Sequence, residues 1–496
     1  MNIERTEDSV DVLLILEGTY PYIRGGVSSW INRLITGFPD VRFGVVFLGS
    51  ARADYGKHAY TLGVNVVHYE EHFLYAPAPP PASRGPGVDR ERIRQLHAGL
   101  RAATGDGAMI PMDALASNIG VTEEEFLSAR NAWELILEGY EGISEKPAFI
   151  DYFWAVRGMH APLWVLQRIL ERAPSARIFH SASTGYAGYV GALLSHRHGG
   201  RLILSEHGIY TKERRIDLML ASWIGACKAS FRSAGGADHI RQLWIRFFET
   251  MARVAYRQAT DVVNLYAGAC ALQSKDGANP ATLRTIPNGI AIAEFATARR
   301  PLAERRDVIA LIGRIVRIKD IKTFIRAAGI LVAQVPHMEA WIVGPDTEDP
   351  EYRAECQDLI DHLQIGGRVK LLGHRSTVEV LCDIRLAVLS SISEGLPLTI
   401  LESFAAGVPV VATDVGACRE LILGASPEDA ALGPAGSVVP IANAAALAGA
   451  IRAILSEPPL WHAMSGAATA RVERYYTESR MFAAYRSLYR FDAESA

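Results

Sequence analysis

The stretch LAVLSSISEGLPLTILESFAAGVPVVA, residues 386–412, reads as one parallel unit of an α/β sheet. Leu386–Leu389 is an apolar run of strand length, Gly395 and Pro397 make a turn, Leu398–Ala406 has the apolar spacing of a helix, and Val408–Ala412 is a second apolar run. A strand, a crossover helix and another strand is how parallel neighbours are joined, and such strands are apolar throughout because both faces are covered. Working outward, runs at Val308–Ile312, Ala340–Val343, Val369–Leu372 and Ser437–Val439 alternate with helical segments such as Ile321–Gln334. The second half of the chain is therefore expected to be a doubly wound sheet.

The same alternation occupies the first half. Asp11–Leu16 is an apolar run followed by Gly18, Pro21 and the pair Gly25-Gly26, after which VSSWINRLI reads as a helix. Further strand-like runs fall at Val41–Leu48, Val64–His68, Arg177–Phe179, Leu202–Leu204 and Val262–Leu265. The Pro-rich stretch APAPPPASRGPG, Ala76–Gly87, opens an interruption of helical character that includes Thr122–Glu141. It reads as an insertion over 76–150 in the first domain, since the alternation resumes afterwards without a fresh start. The polar stretch Ala296–Arg306 marks the joint, giving domains 1–298 and 299–474 and a terminal segment 475–496. Met481, Tyr485, Leu488 and Tyr489 have helical spacing in that segment, as expected of a helix returning to the first domain. Two such domains facing across a deep cleft would bring the carboxyl ends of both sets of strands to one ligand.

Composition narrows the function. The 496 residues carry 51 Lys+Arg against 54 Asp+Glu, a formal charge of -3 that argues against broad charge-driven binding of nucleic acid. No run approaches the ~18 apolar residues of a spanning helix, and the N-terminal residues lack the order of a secretory signal, so a cytoplasmic protein is expected. Cys227, Cys270, Cys356, Cys382 and Cys418 are scattered and form no Cys-x-x-Cys pair; they read as reduced packing residues. Ile240–Ala259 places Leu243, Trp244, Phe247, Met251 and Val254 on one face and arginines elsewhere. A helix packed on the first sheet is the expectation, with a helix lying at a bilayer surface as the alternative.

Five groups of residues carry the chemistry. Gly25 and Gly26 stand where a strand hands over to a helix, so a phosphate can approach free amides unhindered. Arg314 and Lys319, in GRIVRIKD, project from another strand-to-helix loop and suit a diphosphate, with Arg317 as a surface neighbour. Glu394, Gly395, Leu396 and Pro397 form the loop of the opening stretch, and Glu402 follows Glu394 after seven intervening residues on the helix. The two carboxylates are thus spaced to meet different hydroxyls of one ligand. His207, in LILSEHGIY, ends a strand at the expected cleft, and Glu17 precedes the glycine loop where an acceptor would lie. No metal is expected, because neither the histidines nor any Asp-x-Asp pair offers ligand spacing, and cations are already at hand.

These motifs, with IPNGI around Asn288, resemble the retaining, nucleotide-sugar-dependent glycosyltransferases of family 4, which have the two-domain GT-B fold. The resemblance implies that Arg314 and Lys319 bind the donor diphosphate, that Glu394 faces the donor sugar and Glu402 the ribose, and that His207 contacts the sugar near the reacting carbon. LEGTYPYIRGGVSSW and SEHGIYTKERR are similar to the cytosolic transferases of bacterial Pel exopolysaccharide synthesis. That similarity implies a UDP-sugar donor carrying a hexose or N-acetylhexosamine, a growing glycan as acceptor, no cofactor, and delivery to an inner-membrane export complex. A UDP-sugar epimerase or hydrolase, and a non-catalytic nucleotide-sugar-binding regulator of polymer synthesis, are the competing expectations.

Overall fold

In the computed structural model the apolar runs become the strands of two parallel sheets. The structure describes residues 10–75, 91, 94, 112, 123, 130–144, 146–221, 234–335 and 337–490; Cys227 and most of the insertion expected over 76–150 lie outside them. The first sheet comprises β1 (Val10–Glu17), β2 (Phe43–Gly49), β3 (Val66–Phe73), β4 (Ala176–Ser181), β5 (Arg201–Glu206), β6 (Asp261–Asn264) and β7 (Leu283–Thr285), in the order β3-β2-β1-β4-β5-β6-β7. The second comprises β8 (Val308–Ile312), β9 (Glu339–Val343), β10 (Val369–Gly373), β11 (Leu386–Leu389), β12 (Val410–Thr413) and β13 (Gly436–Val439), in the order β10-β9-β8-β11-β12-β13.

Each order grows outward in both directions from its first strand. The chain leaves β1 for β2 on one side and later places β4 on the other, and β8 stands likewise between β9 and β11, every one of these pairs being parallel. A crevice opens at such a reversal, because the loops after the two neighbouring strands diverge to opposite faces. The reversals lie between β1 and β4, and between β8 and β11.

Side-chain alternation explains why both faces are covered. Along the second sheet Val308, Ala310, Trp341, Val343, Ala387 and Leu389 enter one buried cluster, while Ile309, Leu311, Ala340, Ile342, Leu386 and Val388 enter another. This is the period-2 division of parallel strands between two helical layers. In the first unit the Ala234–Gln258 helix buries Leu243, Trp244, Phe247, Met251 and Val254 in the core. That face is consumed by packing, so the helix is a layer of the fold and the bilayer alternative falls away. None of the described helices is long and apolar enough to cross a membrane.

The two units divide at Arg284/Thr285, ahead of the polar stretch 296–306, and Leu265–Ala269 also groups with the second unit. The Glu478–Tyr489 helix groups with the second unit as well and buries Met481, Tyr485, Leu488 and Tyr489. Its start is tied to the IPNGI run: Ile290 N–H donates to Tyr476 O at 3.0 Å and Gly289 N–H to Met481 Sδ at 3.4 Å.

Candidate functional site

In the second unit the loops after β8 and β11 meet at the reversal. Lys319 closes a one-turn 3-10 helix after β8, and Asp320 follows in the left-handed region at φ 43°, where its carboxylate caps the Ile321–Val332 helix through Thr323 N–H. Ser390 Oγ, just beyond β11, donates to Lys319 O at 2.9 Å and to Asp320 O at 3.0 Å, fastening one loop to the other. Lys319 Nζ thereby comes within 2.5 Å of Glu394 Oε1, which also accepts from Ser391 Oγ at 2.5 Å. Both side chains are largely enclosed, Lys319 at 20% exposure and Glu394 at 13%. An ion pair so shielded from water is held by its geometry, and removing one member leaves the other poorly solvated.

The backbone under Glu394 is shaped by a glycine. Gly416 sits at φ +52°, and a Cβ there would lie 2.3 Å from Glu394 O and 2.4 Å from Gly395 O. Only glycine accommodates both the dihedral and the approach. Ala417 N–H then donates to Gly395 O at 2.8 Å. Leu396 and Pro397 are buried, Pro397 caps the Leu398–Ala405 helix, and Glu402 lies half-buried on that helix. Buried Cys418 has its thiol pushed up to about 12 by burial, with the Glu394 carboxylate adding to the shift. It is a packing thiol with no nucleophilic character at neutral pH.

Arg314 lies on the rim. Its Nη1 donates to both Glu348 oxygens at 2.6 Å, and its side chain is 56% exposed. Arg317 is engaged by Asp349, Glu351 and Glu355, as a surface cation would be. Sequence spacing brings Arg314 and Lys319 to one loop but gives no sign of Glu348, which arrives from another element.

In the first unit the loops after β1, β2, β3, β4 and β5 line a cavity of about 480 Å³ at the carboxyl edge of the sheet. The Gly26–Gly37 helix starts there after Gly25, with no side chain capping it, and a Cβ added at Gly25 or Gly26 would meet nothing within 4 Å. Packing among the described residues therefore does not require glycine at either position; the pair leaves space in front of the helix N-terminus, which favours an anion. Glu17 ends β1 on the cavity wall, where Oε1 accepts from Tyr210 Oη at 3.1 Å and Oε2 from Ser183 Oγ at 3.4 Å. His207 follows β5, also on the wall, with Trp30 packed against its ring at a centroid distance of 4.4 Å. Burial pushes its imidazole down to about 3, so it is neutral at physiological pH. A neutral imidazole accepts or donates a hydrogen bond but brings no charge to a leaving group.

Beside it lies Glu206, a buried carboxyl at 3% exposure that the sequence pattern alone does not single out. Burial raises its pKa against the opposing pull of its donors: Tyr256 Oη at 2.5 Å, Gln273 Nε2 at 2.9 Å, Thr184 Oγ1 at 3.1 Å and Tyr210 N–H at 3.4 Å. An acid ending an otherwise apolar strand next to His207 is the signal that was available; Thr184, Tyr256 and Gln273 reach it from distant parts of the chain.

The fold defines a two-domain α/β protein of the GT-B class, and solved GT-B glycosyltransferases superpose on nearly the whole chain. Anabaena Alr3699/HepE in complex with UDP matches with a TM-score of 0.58 at 16% identity, covering 97% of this chain and 99% of that one. Sucrose-phosphate synthase from Thermosynechococcus elongatus matches with a TM-score of 0.56 at 18% identity, covering 98% and 100%. Residues 10–281 match the family described as a domain of unknown function, DUF3492, and residues 294–471 match glycosyl transferases group 1. The chain belongs to the first family over its N-terminal half and carries the group 1 glycosyltransferase domain in its second. Phosphatidyl-myo-inositol mannosyltransferase of Mycolicibacterium smegmatis is 34% identical over 199 residues, 38% of this chain and 47% of that protein. Alpha-D-kanosaminyltransferase of Streptomyces kanamyceticus is 28% identical over 347 residues, 66% and 78% of the two chains. The chain spans about half the length of the first curated relatives it matches.

Proposed function

We propose that the protein is a retaining glycosyltransferase that moves a hexose or N-acetylhexosamine from a UDP-sugar to a growing exopolysaccharide, in the manner of PelF, the transferase of Pel synthesis. The observation that carries this reading is the meeting of the loops after β8 and β11. A lysine, an arginine and a carboxylate stand on the two loops that flank a sheet reversal, in the domain that matches glycosyl transferases group 1. The UDP held by the HepE structure supports a uridine nucleotide as the ligand. The stretches LEGTYPYIRGGVSSW and SEHGIYTKERR support the Pel-type assignment.

In this reading Arg314 and Lys319 take the diphosphate, Glu394 faces the sugar and Glu402 the ribose. The bond from the anomeric carbon to the diphosphate oxygen breaks with its electron pair on that oxygen, where the two cations stabilise it. The acceptor hydroxyl attacks from the same face, and its proton passes to the departing phosphate oxygen, so no side chain forms a covalent bond. No metal is needed, since the charge on the leaving group is met by protein cations. The protein would work in the cytoplasm, beside the inner-membrane complex that exports the polymer.

Incubation with UDP-glucose, UDP-N-acetylglucosamine and UDP-N-acetylgalactosamine, with and without glycan, tests the reading. Elongated glycan with retained anomeric configuration is expected; epimerised or hydrolysed sugar in the absence of glycan would favour the epimerase or hydrolase instead.

A further inference from the structure

The first unit's cavity has a wall, on the helix after β5, to which the proposed donor contacts assign no role. Of its lining, Tyr75, Tyr186 and Tyr210 supply aromatic faces with hydroxyls, Glu17 and Glu213 are acids, and Arg214 is a base. Its volume of about 480 Å³ lies within the roughly 300–1,000 Å³ typical of small-molecule sites.

We propose that Tyr210 and Arg214, on the Tyr210–Leu220 helix, determine which acceptor the enzyme takes, and that they admit a neutral carbohydrate ring. The inference rests on the glycosyltransferase reading and adds the acceptor class and the residues that select it. Hydroxyls of a sugar both donate and accept, and this wall offers carboxylates that only accept, a guanidinium that only donates, and phenols that do both. The tyrosine rings suit the apolar C–H faces of a pyranose. Two carboxylates against one guanidinium leave an excess of negative charge, so a uronate or phosphorylated ring would face repulsion that a neutral ring does not.

The wall is also built to hold its shape. Arg214 lies over the Tyr210 and Phe248 rings, at 5.2 Å and 5.7 Å from their centroids, with Asp217 on its outer side at 3.5 Å. Tyr210 is fixed at both ends: its N–H is held by Glu206 and its hydroxyl by Glu17. A Cβ at Gly185 would lie 2.4 Å from Tyr210 Oη and 2.7 Å from Glu17 Oε2, so the bare glycine allows that pair to meet. Glu206 fastens Thr184 as well, which joins the loop after β4 to the helix bearing Arg214. Side chains positioned in this way on a rigid helix are suited to discriminating among ligands.

The test is saturation-transfer NMR on the full chain with diacetylchitobiose, maltose and digalacturonic acid, alongside UDP titration on the same preparations. At least one neutral disaccharide should give signal. Arg214→Ala and Tyr210→Phe should each reduce it threefold or more with UDP affinity unchanged, and digalacturonic acid should give none. The proposal is overturned if digalacturonic acid binds as well as the neutral sugars, if neither variant changes the signal, or if no saccharide binds while UDP does. Absence of UDP binding to the wild-type chain is a different failure, since it sinks the glycosyltransferase reading itself. Melting temperatures of both variants close to wild type keep a loss of signal from reflecting misfolding.

Discussion

Lys319 Nζ stands 2.5 Å from Glu394 Oε1, joining the loop after β8 to the loop after β11. The family resemblance implies separate contacts for the two residues, to diphosphate and to sugar, yet in the structure each is the other's partner. Under the proposed function, a diphosphate at Lys319 would share its ammonium with Glu394 or displace the carboxylate.

The two glutamates should therefore behave differently. Glu402→Ala is expected to weaken UDP and UDP-sugar alike, because both carry the same ribose. Glu394→Ala should leave UDP affinity unchanged or raise it, by freeing Lys319, while turnover falls, as when an interaction is lost chiefly in the transition state. Calorimetric UDP affinities and steady-state turnover on the two variants decide, and equal loss of UDP binding in both would contradict the division.

Gly416→Ala should damage the same loop without touching a charged group. The left-handed dihedral costs about 1–2 kcal/mol for a residue with a Cβ, and the approach to Glu394 O at 2.3 Å adds to it. Lower melting temperature together with weaker UDP binding is expected. Unchanged UDP affinity in a destabilised protein would show that Gly416 serves folding alone.

Acid should destabilise the first unit through its buried imidazoles. His180 is 1% exposed, bonded to Ser205 Oγ at 2.8 Å, and burial pushes it down to about 3, with His207 adding to the shift. Its pKa is thus lower folded than the ~6.5 expected unfolded. The stabilisation is fully present above about 6.5 and is lost as pH falls toward 3, at roughly 1.4 kcal/mol per pH unit. Melting curves from pH 7 to 4.5 should fall less steeply for His180→Gln than for wild type; parallel curves would refute the assignment.

Chelation should leave transfer intact. Activity lost in EDTA and restored by magnesium or manganese would show that Arg314 and Lys319 do not suffice for the leaving group.

The strands were the most legible part of the chain. Buried parallel strands are nearly continuous apolar runs, and Val308–Ile312 and Leu386–Leu389 coincide with β8 and β11 residue for residue. Where the pattern misleads, a local reason is visible. β12 starts at Val410, after Pro409, which has no N–H for the ladder, although the apolar run begins at Val408. β7, Leu283–Thr285, is three residues long and mostly exposed, so no run announces it; the two units divide beside it, some residues before the polar stretch 296–306. Site residues at strand ends could be placed by their motifs. Their distant partners could not: Glu348 for Arg314, and Thr184, Tyr256 and Gln273 around Glu206, are joined to them only by the fold.

Binding of a uridine nucleotide's diphosphate by Lys319 and Arg314 is tested most directly by titrating UDP into wild type, Arg314→Ala and Lys319→Ala. A charge-assisted hydrogen bond of this kind is worth about 1.5–3 kcal/mol, so each variant should bind UDP roughly tenfold more weakly or worse. Wild-type affinity in both variants would contradict the account.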